Sequence, residues 1–288
     1  MTGPEGPPPA AHIVEAFGGD AARLAKLAGG QGTSWRAGGI ALKPTAPDEP
    51  IGWLGAVLNQ PPDTDDYRVA RPVATADRRW IVDGWSATTW VDGAHVAGRW
   101  EEALKVSAAF HAALARVEAP PRPAESDPWS VGMRVAWGEL PAPSHSRDVN
   151  ALLTELSALL EQPWQGPPHQ LIHGDLEGNI VYADGLPPAV IDFSPHRAPA
   201  PFADAIIVAD ATAWKGAPAE LAADFAATRT AGPQLLARAA VYRVITMVEL
   251  SADPEAVASE IAGYRPVVDA AIAFVTHRFF VDPRYGRE

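Results

Sequence analysis

No cysteine occurs in the 288 residues, which excludes a disulfide framework, a thiolate metal site and a cysteine nucleophile. No run approaches the ~18 uninterrupted apolar residues that a membrane span needs, so no membrane partner is expected. The first residues, "MTGPEGPPPA", lack the basic cluster and apolar stretch of a secretory signal. Together these absences predict a cytoplasmic protein. Basic residues are in the minority, with 23 Lys and Arg against 35 Asp and Glu, for a formal net charge of −12. A nucleic-acid surface normally shows a basic footprint, so no nucleic-acid partner is expected either. An acidic cleft would concentrate a cationic substrate, although acidity by itself speaks first of solubility.

What is present is an ordinary globular composition, 47% hydrophobic, on a chain long enough for two lobes with separate cores. Residues 12–28 predict a short helix on each side of Gly18-Gly19, the second capped by Asp20. "QGTSWRAGGIALKP" (31–44) alternates as strands, and 47–60 fits a helix with Asp48 as N-cap. Residues 71–91 are strand-like again. Beyond Gly98 helices dominate, at 98–117 and 147–162, then at 201–214, 217–228, 233–250 and 253–280, with a Pro-rich connection following the first of them. One hairpin, Asn179–Tyr182 with Ala189–Phe193, interrupts them around the turn "ADGLPP". The expected architecture is α+β: a disordered tail at 1–11, a small β-rich N-lobe at 12–92, and a larger, mostly helical C-lobe at 93–288.

The chemistry concentrates in "LIHGDLEGNIVYADGLPPAVIDFS" (171–194). A hairpin brings its outer ends together, so Asn179 and Asp192 are predicted neighbours, with Asp175 four positions before the amide. Phosphoryl transfer needs such a set: oxygen ligands for magnesium, and a carboxylate that orients the acceptor hydroxyl. "HGDLEGN" followed by "VIDFS" resembles the catalytic and metal loops of the aminoglycoside phosphotransferase and choline kinase-like group, relatives of the protein kinases.

That resemblance implies a bilobal protein-kinase-like fold and an enzyme that uses ATP and Mg2+ to phosphorylate a hydroxyl of a small molecule. The acceptor would be an aminoglycoside-like or other amino-bearing compound. Asp175 matches the catalytic Asp, Asn179 and Asp192 the metal ligands, and His173 a loop brace. The family places four residues between the catalytic Asp and the Asn, whereas "DLEGN" has three, and Ser194 replaces the Gly of the metal segment.

Within the N-lobe the resemblance calls for a phosphate-covering loop and a lysine. Gly30, Gly32, Thr33 and Ser34 form the candidate loop, and Lys43, on the following strand, would offset phosphate charge. No GK[ST] follows these glycines, so this is not a Walker A loop. Glu49 has two readings, as the partner of Lys43 or as an acid complementing a helix dipole. "SATTWVDG" (86–93) resembles the adenine-binding hinge, with Ala87, Thr89 and Trp90 as nucleotide contacts and Trp85 as a second flanking ring.

Two rivals stand beside the kinase. One is a kinase-like nucleotide-binding protein without catalysis. The other, a metallohydrolase, would use His169, His173, Asp175, Asp192 and His196, but "PPHQLIHGD" reads as strand and spoils the helical spacing of its histidines.

Overall fold

The computed structural model describes residues 7–27, 32–117, 127–142 and 146–281, with side chains described as far as 273. The chain divides into two compact units. The first takes the residues up to His95 and also Ile180–Asp192. The second takes Val96–Ala115, the chain that leads to Asn179, and everything from Phe193 onward.

The first unit opens with helix α1 (Ala11–Ala16), so the expected tail reaches into ordered helix; its first six residues lie outside the described set. Asp20 does cap a turn, accepting from the Ala22 amide at 3.0 Å, but the turn is a 3₁₀ segment, Ala21–Arg23, that runs straight into strand β1 (Leu24–Lys26). The predicted second helix is therefore replaced by turn and strand. Strands β2 (Trp35–Ala37) and β3 (Ile40–Pro44) follow. Next come helix α2 (Ile51–Leu58), β4 (Arg68–Val69), β5 (Pro72–Val73) and β6 (Trp85–Thr89).

An antiparallel sheet in the order β1-β2-β3-β6-β5 presents Ala37, Ile40, Leu42 and Ala87 to α1, whose Ile13 and Val14 close the core with Phe17. The alternation of Ile40 and Leu42 with exposed or half-buried neighbours is the period of a strand with one buried face. Strands β8 (Ile180–Val181) and β9 (Ala189–Val190) form the expected hairpin, Ile180 opposite Val190. β9 also lies parallel to β4, with Arg68 beside Ala189, which gives the hairpin to the first unit.

The second unit is a helical body with one two-stranded ribbon. Strand β7 (Gln170–His173) pairs antiparallel with β10 (Pro195–Ala198), His173 opposite Pro195. The helices are α3 (Trp100–Leu114), α4 (Pro128–Ala136), α5 (Arg147–Leu160), α6 (Ala200–Trp214) and α7 (Ala219–Thr228). They are completed by α8 (Gly232–Leu250), α9 (Pro254–Gly263) and α10 (Arg265–Val281).

Helix α8 is buried nearly all round, enclosed by other helices; Leu235, Leu236, Val241 and Ile245 pack with Leu156, Phe202, Ile206 and Val268. Asp127, Ser146 and Asp253 cap α4, α5 and α9 by accepting from first-turn amides, and Pro128 and Pro254 stand where the missing N–H costs nothing. The single helix expected over 253–280 is two helices, divided at Tyr264. Helix α4 was not expected, because it begins within the Pro-rich connection. Among the described residues, no helix is long and apolar enough to cross a membrane.

Candidate active site

The ribbon delivers His173 to the base of a loop. His173 is fully buried, and its Nδ1 accepts the amide of Asp175 at 3.1 Å. Its own amide donates to His111 Nε2 at 3.0 Å. An Nε2 that accepts leaves the proton on Nδ1, which donates to the Ser107 carbonyl at 2.8 Å. Burial, and then the neighbouring His173, hold His111 neutral, with its pKa lowered to about 3. Ser107 donates in turn to Asp204 at 2.6 Å, so Asp204 braces α3 against α6.

Gly174 must be glycine: a Cβ there would come 2.3 Å from the His196 ring, which stands on the adjoining strand. His169, by contrast, packs edge-on against Trp137, with centroids 4.6 Å apart. Among the described residues, no group of three His, Cys, Asp or Glu side chains could hold a metal ion.

The short "DLEGN" loop closes through a 3₁₀ turn, Glu177–Asn179, in which the Asn179 amide donates to the Leu176 carbonyl at 3.0 Å. Leu176 is buried and anchors it. With one residue fewer, the turn still carries Asn179 back to Asp175. Its Nδ2 donates to the Asp175 carbonyl at 2.7 Å and to Oδ2 at 3.2 Å, which leaves Oδ1 as the amide atom a cation would take. Asp175 Oδ1 accepts from Arg243 Nη2 at 2.5 Å. Burial would raise the Asp175 pKa, but Arg243, His173 and Asn179 together outweigh it and hold the carboxyl below its ordinary value.

Asp175 lines a cavity of about 480 Å³ within the second unit. Glu177, Asp210, Arg243 and Glu260 share its wall, with Trp129, Trp214 and Tyr264 as aromatic surfaces. Arg243 is held by Asp175 and Asp210, and Lys215 lies 3.7 Å from Glu177, while Glu260 has no ion pair among the described residues and feels Arg243 only at longer range. Burial first, and then Asp210, raise the Glu260 pKa to about 7. Burial also raises Glu177, against the pull of Lys215.

Sequence reasoning assigned no role to Arg243, Asp210, Glu260 or Tyr264. Each stands on a helix or, for Tyr264, at a helix junction remote from the motif, and carries no local signature. Asp253 caps α9, accepting from the Glu255 amide at 3.0 Å.

In the first unit Lys43 Nζ donates to Asp192 Oδ1 at 3.0 Å, and Asp192 takes a left-handed backbone, φ 45°. The lysine is thus paired with the metal-segment acid. Glu49 precedes α2, in a turn where its amide donates to the Ala46 carbonyl at 3.1 Å, so it is not helix-borne and Pro50, not Asp48, caps the helix. Gly32 has φ 69°, which suits a glycine turn; Thr33 and Ser34 follow it, with the Ser34 carbonyl accepting from Leu27 at 3.0 Å. Gly30 lies outside the described residues.

Ala87 is core, 1% exposed, and its strand is paired on both sides. The Thr89 amide donates to the Arg71 carbonyl and its hydroxyl accepts from the Arg71 amide, so the sheet engages the backbone expected to meet adenine. The Trp90 ring is covered by the Arg36 guanidinium at 4.1 Å and donates to Asp92 at 2.7 Å.

A β-rich unit with a strand lysine and a helical unit with a His-Gly-Asp loop define the class: an α+β, protein-kinase-like fold of the kind found in small-molecule kinases. The chain belongs to the phosphotransferase enzyme family, whose model matches residues 52–242. Among solved structures it resembles a microcompartment-associated aminopropanol kinase, with 18% identity over 88% of this chain and 92% of that one, at a TM-score of 0.60. It also resembles a choline/ethanolamine kinase family protein from Mesorhizobium loti, with 13% identity over 90% and 94% of the two chains, at 0.54. No functionally curated protein matches the sequence. Family membership and these neighbours support a small-molecule phosphotransferase.

Proposed function

We propose that this chain transfers the γ-phosphoryl group of ATP, with magnesium, to a hydroxyl of a small amino-bearing molecule in the cytoplasm. The observation that carries this reading is Asp175: an ionised carboxylate, braced from behind by His173 and Asn179, on the wall of a cavity sized for a small molecule. In this reading Asp175 accepts the hydroxyl proton as the oxygen attacks phosphorus. Lys43 offsets charge on the phosphates.

Asn179 and Asp192 are the residues that would hold magnesium, which supplies neutralisation of the phosphate charge when bound. The donor set fits that ion. Magnesium is usually held by one or two protein oxygens plus substrate phosphates rather than by a closed protein cage. The acids and aromatic faces of the cavity favour an ammonium on the acceptor.

The test is a screen of hydroxylated amines for ATP-dependent phosphorylation, read by phosphorus NMR. Asp175→Ala should abolish transfer and leave magnesium–ATP binding nearly unchanged, whereas Asp192→Ala should weaken metal-dependent nucleotide binding itself. Normal turnover by Asp175→Ala would refute the assignment. ATP binding with no transfer to any acceptor would favour the non-catalytic, kinase-like reading.

A further inference from the structure

Behind Asp175 stands a buried charge network that the family motif does not contain. Arg243, on α8, has a side chain only 10% exposed. Its Nε donates to Asp210 Oδ1 at 3.0 Å and its Nη2 to Asp210 Oδ2, a two-point fork that fixes the guanidinium plane. The same Nη2 reaches Asp175 Oδ1 at 2.5 Å. Tyr264 donates to Asp210 Oδ1 at 2.6 Å and so braces the far end of the fork. Two helices and a helix junction therefore build the network: α6 with Asp210, α8 with Arg243, and the α9–α10 junction with Tyr264.

An ionised carboxylate offers about four lone-pair directions over its two oxygens. Asn179 takes one on Oδ2 and Arg243 one on Oδ1, so the carboxyl plane is held from both ends. A lone arginine on a flexible stem would not do this. Because the Asp210 fork removes the freedom of the guanidinium, Arg243 can dictate where Asp175 points. Burying such a fork carries a large desolvation cost, and packed apolar groups would commonly serve stability as well. Its presence against the cavity wall therefore calls for a role beyond stability.

We propose that Arg243 is a positioning residue for phosphoryl transfer, holding the Asp175 carboxylate through a fork that Asp210 and Tyr264 brace. The proposal rests on the functional reading above only in taking Asp175 as the group that meets the acceptor. Arg243 itself transfers no proton and forms no bond to phosphorus. Lysine at 243 would keep the charge but lose the fork, so charge and geometry can be separated.

The test has one arm that needs no acceptor. Crystal structures of Arg243→Lys and of the paired variant Arg243→Met/Asp210→Asn, which removes both charges of the fork and leaves only Asp175, partly exposed on the cavity wall, without its cation, are compared with the wild type. The Asp175 carboxylate should rotate away from its present orientation in both; an unchanged carboxylate would overturn the proposal.

The second arm measures transfer from magnesium–ATP to ethanolamine and to 1-amino-2-propanol. Arg243→Lys should lower kcat by about 10- to 100-fold, the scale of a misplaced catalytic group, with KM for magnesium–ATP unchanged. Arg243→Ala should regain part of its kcat in the presence of methylguanidinium, in a saturable way. Wild-type kcat in Arg243→Lys would overturn the proposal, as would equal losses in kcat and nucleotide affinity without chemical rescue. If the wild type phosphorylated neither probe, the functional reading would be the casualty, and the carboxylate orientation would still decide the role of Arg243.

Discussion

Replacing Glu260 by Gln should stabilise the protein, and by an amount that depends on pH in a definite direction. Glu260 is partly buried, and its pKa is raised from 4.5 to about 7 by burial and by Asp210. Between those two values the unfolded glutamate has lost its proton while the folded one still holds it. The unfolded state therefore binds fewer protons, and stability falls as pH rises through this window. Above about 7 the cost is constant.

The difference between 4.5 and about 7 corresponds to about 3 kcal/mol, and solvent reaching part of the carboxyl reduces this to ~2 kcal/mol. Glutamine does not titrate, so wild type and Glu260→Gln should have similar stability near pH ~4 and differ by ~2 kcal/mol near pH ~8. Guanidinium unfolding followed by tryptophan fluorescence at several pH values measures this directly, since Trp129 and Trp214 line the same cavity. If an ammonium-bearing acceptor seats against Glu260, its KM should fall as pH rises through about 7, because the ionised acid is the binding form. A stability difference that stays the same from acid to alkali, or a Gln variant that loses stability as pH rises, would refute the reasoning.

Further outcomes follow from the base of the loop. His111 is buried with its pKa lowered to about 3, so stability should fall as pH drops from the ordinary 6.5 towards that value, where only the unfolded state takes up the proton. His111→Gln should flatten that part of the acid-unfolding curve, and an unchanged curve would contradict it. Gly174→Ala forces a methyl group within 2.3 Å of the His196 ring and should cost about 1–3 kcal/mol, read as a lower unfolding midpoint. Gly174→Ala/His196→Ala should recover part of the loss by removing the ring that the methyl meets.

How much of this was readable in advance follows from where the determining interactions lie along the chain. Period-2 alternation at Ile40 and Leu42 and period-3.6 stripes at 98–117 and 147–162 report local physics, and each of these elements is present at or near its expected place, whereas Asp20 caps a 3₁₀ turn and not the expected helix. The helix expected from Asp48 failed at its start because the Ala46–Glu49 turn takes the backbone that a first helical turn would need. The helix over 253–280 divided at Tyr264, where Gly263 ends α9 and Pro266, in the first turn of α10, lacks the N–H that a continuous helix would need.

The same division holds for the site. Asp175, Asn179, Asp192 and His173 could be named as candidates from one short stretch, because loop chemistry and family spacing confine them to 24 consecutive residues (171–194). Its missing residue was visible too, though not its consequence, the 3₁₀ turn that restores the Asn179–Asp175 bond. Lys43 was legible as a strand lysine, but its pairing with Asp192, 149 positions on, was not. Arg243, Asp210, Glu260 and Tyr264 were beyond reach for the same reason. Their roles come from burial and from one another's charge, and both exist only once the helices have packed.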